Sequence, residues 1–277
     1  MFQRICLLLM YGVALSASFG TSVHSADAAL RARAREVLEK NKDAVVFVKA
    51  VVSMTYSMGA QQSKKQEQKN EILGTVVDPS GLTVVAASRL DPYSMYGDMS
   101  FNSGGEMSHF KPETNVTDLK LVLADGTEVA AEFALKDKDL DLAFIRPKEK
   151  LEKPLPYLTF VKCADPEVLD EIITIGRLGR SLNRSAALAI GDVLAVVKKP
   201  RTLYVCCSDF AGGALGCPVF NSKGEPLGIS LMRKSPIKES NYDFGSPVIL
   251  PAADLAEVIQ QALTAKKDEA KGNDAVK

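Results

Sequence analysis

Between residues 44 and 250 the chain is cut into short apolar runs by strong turn signals, and this rhythm restricts the fold more than any other feature. Asp78-Pro79-Ser80-Gly81 separates the runs at 72–77 and 82–87, and Asp125-Gly126 separates 119–123 from 128–136. Asn221-Ser222-Lys223-Gly224 follows the run at 217–221 and precedes 226–232. Aspartate, asparagine and glycine supply the backbone conformations that hairpin turns require. Further runs at 44–54, 140–146, 171–175, 186–197, 202–207 and 244–250 read as strands, with Pro200 marking another turn. The Pro-rich link Lys153-Pro154-Leu155-Pro156 divides the series into two similar halves. Roughly six strands in each half predict an all-β chain of two antiparallel barrels, which dispose of sheet edges by curling closed.

The ends read differently. Residues 28–42 carry Leu30, Ala34, Val37 and Leu38 on one stripe, the period of an amphipathic helix, and residues 251–265 repeat it with Leu255, Val258, Ile259 and Leu263. Residues 266–277 are a charged tail. Residues 61–69 contain no apolar side chain and are expected to form a solvated loop. Residues 93–114, rich in Met, Ser, Gly and Asn, are expected to form a long surface insertion.

The first residues have the layout of a secretory signal: Arg4, an apolar run at 5–17, and Ala26-Asp27-Ala28 as a cleavage site. Cleavage near Ala28 is expected, with the mature chain exported to a periplasmic or secreted location. The organisation is then a signal at 1–28, a double-barrel domain at 29–265 (first barrel 29–153, second 154–265) and the tail. The signal's apolar run falls short of the roughly 20 residues that cross a bilayer, and no other segment is long and apolar enough to span, so no membrane span is expected after signal removal. Thirty-four basic against 34 acidic residues give zero formal charge, which leaves no global field for nucleic acid. Four cysteines lie beyond the signal: Cys163, Cys206, Cys207 and Cys217. An oxidising compartment permits disulfides among them, and burial as small apolar residues is the equal alternative. Zinc requires three or four ligands, and only His109 could join these cysteines, so neither a metal nor another cofactor is expected.

Four segments in order resemble the trypsin-like serine proteases, and within them the HtrA (Deg) type. They are Gly74-Thr75-Val76-Val77-Asp78-Pro79-Ser80-Gly81-Leu82, Asp139-Leu140-Asp141-Leu142-Ala143-Phe144-Ile145, Gly213-Ala214-Leu215-Gly216-Cys217-Pro218-Val219-Phe220, and Gly224-Glu225-Pro226-Leu227-Gly228-Ile229. The resemblance implies a trypsin/chymotrypsin-type double barrel and a site built from three positions. Asp141 matches the catalytic aspartate. Ser88 stands where the family has its histidine, and Leu215 where it has its nucleophile. The family's mechanism needs a histidine base and a serine or cysteine nucleophile, so the resemblance predicts a pseudo-protease. Cys217, two residues past the nucleophile position, is the alternative nucleophile, and a serine or cysteine endopeptidase with a rearranged site is the alternative function. His109 is expected to be a solvated loop histidine.

A peptide groove is what the resemblance leaves. Strand addition, which uses main-chain hydrogen bonds, is expected at Ser230, Leu231 and Met232, with Gly213 and Ala214 beside it. Phe244, within Asn241-Tyr242-Asp243-Phe244-Gly245-Ser246-Pro247, would shape the specificity pocket. A peptide or protein partner is therefore expected, with the oligomeric state open.

Overall fold

The computed structural model describes residues 21–56, 64–90, 99–103, 106–110, 113–207, 214–233 and 246–265. Helix α1 (Thr21–Asn41) buries Leu30, Ala34 and Val37 and then passes through a 3-10 turn, Lys42–Ala44, into the first strand. It begins at Thr21 rather than at residue 28, so the expected cleavage position lies within it; residues 1–20 of the expected signal fall outside the described residues.

The first barrel is formed by β1 (Val45–Tyr56), β2 (Lys64–Val76), β3 (Thr83–Ala86), β6 (Glu113–Val122), β7 (Glu128–Asp137) and β8 (Leu142–Pro147), closed in the order β1-β2-β3-β8-β7-β6. Val48, Ile72, Val85, Leu121 and Ile145 fill it. The second barrel contains β9 (Glu171–Arg177), β10 (Ala186–Val197), β11 (Leu203–Cys207), β12 (Pro218–Asn221), β13 (Pro226–Arg233) and β14 (Ser246–Pro251), closed in the order β10-β11-β14-β13-β12-β9. Every pairing is antiparallel, as the alternation of runs and turns requires. The expected all-β double barrel with helices at the two ends is the fold observed.

A single apolar cluster joins the barrels. It brings together Val84, Leu142 and Phe144 from the first, Ile173, Phe220 and Ile229 from the second, and Leu255 and Ile259 from helix α3 (Ala252–Thr264). Burying a large aliphatic or aromatic side chain contributes about 1.5–3 kcal/mol, so this shared core holds the seam on which the candidate site lies. Polar ties supplement it. Arg177 at the end of β9 donates through Nε to Val45 O at 2.6 Å and through Nη2 to Lys42 O at 2.8 Å. Arg146 donates to Ala265 O at 3.0 Å, which anchors the end of α3 to the first barrel.

Two expectations are corrected. Residues 64–69, expected in a loop, are the first part of β2, in register with β1 from Tyr56 opposite Lys64 to Val51 opposite Lys69. Pairing satisfies the backbone, while Lys65, Gln66, Glu67, Gln68 and Lys69 remain exposed. A strand that buries neither face needs no apolar residue, and so its composition looks like that of a loop. The insertion at 93–114 contains a two-stranded hairpin, β4 (Met99–Ser103) with β5 (Glu106–Phe110), before β6 starts at Glu113.

Candidate functional site

Ser88 and Asp141 reach the barrel seam on unlike supports. Strand β3 is buried on both faces and runs into a single helical turn, α2 (Ala87–Leu90), which turns Ser88 inward. Asp141 ends the turn between β7 and β8, where Asp137 Oδ1 accepts the N–H groups of Asp139 and Leu140 at 3.0 and 2.9 Å. Its φ of 58° lies in the left-handed region, which aspartate tolerates better than most residues with a Cβ. Ala87 N–H donates to Asp141 O at 2.9 Å, fastening the two segments through their backbones as well.

The Asp141 side chain, 3% exposed, accepts hydrogen bonds from both barrels. Ser88 N–H donates to Oδ1 at 2.6 Å, Ser88 Oγ donates to Oδ2 at 2.9 Å, and Met232 N–H on β13 donates to Oδ2 at 2.8 Å. One carboxylate thus links β3, the β7–β8 turn and the second barrel. Where an imidazole N–H would meet this aspartate in a working triad, a serine hydroxyl does. A hydroxyl cannot take up and release a proton near neutral pH as a histidine does.

The turn after residue 213 arrives from the other side of the seam. Gly216 has φ +85°, and a Cβ there would lie 2.7 Å from Leu73 O and 3.2 Å from Ala86 N, so only glycine fits against the first barrel. Gly216 N–H donates to Ser230 O at 2.7 Å, and Gly216 O accepts from Thr75 Oγ1 at 2.7 Å. Leu215 is 3% exposed and belongs to the shared apolar cluster together with Ala214 and Cys217. An aliphatic side chain at this position has no lone pair with which to attack a carbonyl. At Cys217 full burial pushes the thiol up to about 12, the opposite direction from that of a reactive thiolate.

The strand-addition edge expected at Ser230, Leu231 and Met232 is partly occupied among the described residues. Strand β14 pairs along one side, with Leu231 opposite Val248 and Met232 opposite Pro247. On the other side, Ser230 O accepts from Gly216, Ser230 N–H donates to Cys217 O at 3.0 Å, and Met232 N–H is held by Asp141. The side chains of Ser230 and Leu231 are buried. Gly213 and Phe244 fall outside the described residues, as do residues 241–245. His109 lies on β5 opposite Ser100, in a strand rather than the expected loop. No disulfide joins Cys163, Cys206 or Cys217, and Cys206 and Cys217 are buried as small apolar residues. Among the described residues no group of three or more His, Cys, Asp or Glu side chains could hold a metal.

Two participants carry no signal in the sequence: the Met232 amide and the Thr75 hydroxyl, both recruited by tertiary structure. A cavity of about 410 Å³ lies elsewhere on the seam and is lined by Phe47, Asp125, Arg177, Arg180 and Arg184. Two of its arginines are committed, Arg177 to backbone carbonyls and Asp43, and Arg184 to Glu71 at 2.6 Å.

Comparison with known proteins agrees with this geometry. A probable periplasmic serine endoprotease, DegP-like, from Rickettsia conorii is 25% identical over 259 residues, covering 90% of this chain and 49% of the relative. A protein of the same description from Bartonella henselae is 25% identical over 189 residues, covering 67% of this chain and 36% of its own length. The chain therefore spans about half or less of the curated relatives it matches. The profile of the trypsin-like peptidase domain matches residues 74–229, from the glycine that opens the β2–β3 hairpin to the strand that carries Ser230. That match extends over more than half of the chain, and with two closed barrels meeting at Ser88, Asp141 and the turn at Gly216, the chain belongs to the trypsin-like peptidase domain family.

Proposed function

We propose that this chain is an exported, HtrA-like pseudo-protease, a trypsin fold that does not hydrolyse peptides and serves as a binding or scaffold module for a peptide or protein partner. The observation that carries the reading is the filling of the nucleophile position by a buried leucine, Leu215. Ser88 adds to it, because its hydroxyl is bonded to Asp141 where a base would have to stand. Export is supported by the apolar run at 5–17 and its Ala26-Asp27-Ala28 site, and by the description of both relatives as periplasmic. The endopeptidase reading needs a nucleophile in the seam, and the burial of Cys217 argues against a thiol in that role.

The test is labelling of the purified full chain with a fluorophosphonate probe and with an iodoacetamide probe, beside hydrolysis of unfolded casein. The expected result is no fluorophosphonate adduct, no alkylation at Cys217 and casein cleavage at background. Casein cleavage abolished by Cys217→Ala, or a fluorophosphonate adduct on a serine, would replace the pseudo-protease reading with the endopeptidase one.

A further inference from the structure

Strand β2 is much longer than the barrel needs. It pairs with β3 only at Gly74, Thr75 and Val76, so from Lys64 to Leu73 the edge turned away from β1 has no strand partner among the described residues. Such an edge presents a row of backbone donors and acceptors that invites another strand, and charged side chains are the usual protection. This edge carries them in the order Lys64-Lys65-Gln66-Glu67-Gln68-Lys69-Asn70-Glu71. We infer that this edge pairs antiparallel with the same edge of a second copy of the chain, about a two-fold axis at Gln68.

The register follows from parity and charge. Residues of one parity share one face of a strand, which puts Lys65, Glu67, Lys69 and Glu71 in one row; the 3.8 Å approach of Lys65 Nζ to Glu67 Oε1 is consistent with that. Two identical edges can exchange ladder bonds only between residues of equal parity, so the two-fold axis must pass through a residue. Placed at Gln68, it sets Lys65 opposite Glu71 of the second copy and Glu67 opposite Lys69, each pair occurring twice. Gln66 then meets Asn70, and Gln68 meets itself. Placed at Glu67, it sets Glu67 against itself and Lys65 against Lys69. Placed at Lys69, it sets Lys69 against itself and Glu67 against Glu71. An axis at Gln66 retains only the Lys65–Glu67 pair, and one at Asn70 runs into residues already paired with β3. Only the axis at Gln68 places opposite charges at every charged pair along the whole free edge.

Glu71 can serve in this arrangement. Its Oε1 accepts from Arg184 Nε at 2.6 Å, and Oε2 is the atom that meets Lys65 of the second copy. The edge of β6 offers no comparable match, since Glu113-Thr114-Asn115-Val116-Thr117-Asp118 has acidic residues and no basic ones. A contact of this kind is isologous and closes at the dimer.

Sedimentation equilibrium of the full chain tests the inference. The expected result is a monomer–dimer equilibrium that weakens as salt rises. Glu67→Lys or Lys69→Glu alone converts both symmetry-related pairs to like charges and should raise the dimer dissociation constant about tenfold or more. The double variant Glu67→Lys with Lys69→Glu restores opposition and should return it near the parent value. Gln68→Cys should cross-link to itself under mild oxidation, whereas Lys65→Cys should not. A chain that stays monomeric at high micromolar concentration, a dimer indifferent to the single reversals, or one not rescued by the double variant would overturn the inference.

Discussion

Asp141→Ala is expected to act on stability. In the native protein the carboxylate accepts from Ser88 N–H, Ser88 Oγ and Met232 N–H within a site that is almost wholly buried. Each hydrogen bond to a charged group contributes about 1.5–3 kcal/mol, and each buried donor left without a partner costs about 1–3 kcal/mol. Two terms act in opposite directions. Alanine held at φ 58° adds about 1–2 kcal/mol of backbone strain, whereas losing the carboxylate removes the cost of keeping a charge out of water, several kcal/mol per ion. The balance is a loss of about 3–5 kcal/mol, the range seen when one partner of a buried charged contact is removed. At about 2–4 °C per kcal/mol for a chain of this size, the midpoint falls by about 6–20 °C.

Ser88→Ala breaks one of these bonds and should cost about 1.5–2 kcal/mol. In the Asp141→Ala background the same change should cost almost nothing, because its partner is already absent. Chemical denaturation followed by circular dichroism gives all four corners of this cycle. If Asp141→Ala unfolds within about 1 kcal/mol of the parent, or if Ser88→Ala costs the same in both backgrounds, the carboxylate is not the tie described.

Gly216→Ala should cost about 3 kcal/mol or more, since the new Cβ would meet backbone atoms at φ +85°; Gly126→Ala, at φ +90° with nothing within 4 Å, should cost only the strain of about 1–2 kcal/mol. Equal losses in the two variants would mean that the Gly216 turn does not abut the first barrel. Cys217 should resist alkylation in the native protein and label only on unfolding, whereas half-buried Cys163 labels first, as peptide mass mapping would show. The raised Cys217 thiol also sets a sign: both states hold the proton below its ordinary value of 9.0, the unfolded chain alone loses it above that, and stability falls between pH 9.0 and about 12. In Cys217→Ala this part of the alkaline loss should disappear from denaturation curves taken across that window. Ser88→His with Leu215→Ser should gain a fluorophosphonate adduct that neither single change produces; labelling of Leu215→Ser alone would show that Ser88 is not the missing element.

The sequence was legible where one physical requirement dominated each residue. Gly81, Gly126 and Gly224 all occupy the left-handed region in the turns expected of them, because no other residue relieves that conformation at so little cost. Strands with one face in the core were found through their apolar pattern. The outer half of β2 was not, because neither of its faces is buried and its pairing with β1 leaves no trace in composition. Ser88, Asp141 and Leu215 could be placed from the order of the motifs around them. The partial occupation of the Ser230–Met232 edge could not, since it depends on backbone amides and on Thr75, whose side chain bonds Gly216 from a remote part of the chain. Backbone groups have the same chemistry at every residue, so which of them meet is decided by the fold alone.

On the pseudo-protease reading proposed above, this arrangement also bears on how such a site could lose its chemistry without loss of the fold. An active cleft keeps donors and acceptors aimed at the place where charge will develop, and holding them ready costs the free protein stability. The hydroxyl of Ser88 and the amide of Met232 satisfy Asp141, the amides at Gly216 and Ser230 satisfy the turn and the strand, and Leu215 and Cys217 sit in the shared core. These contacts add cohesion between the two barrels. On the function proposed above, one surface open to a partner is the edge of β2 from Lys64 to Leu73, which has no strand partner among the described residues and a charge order that selects its register.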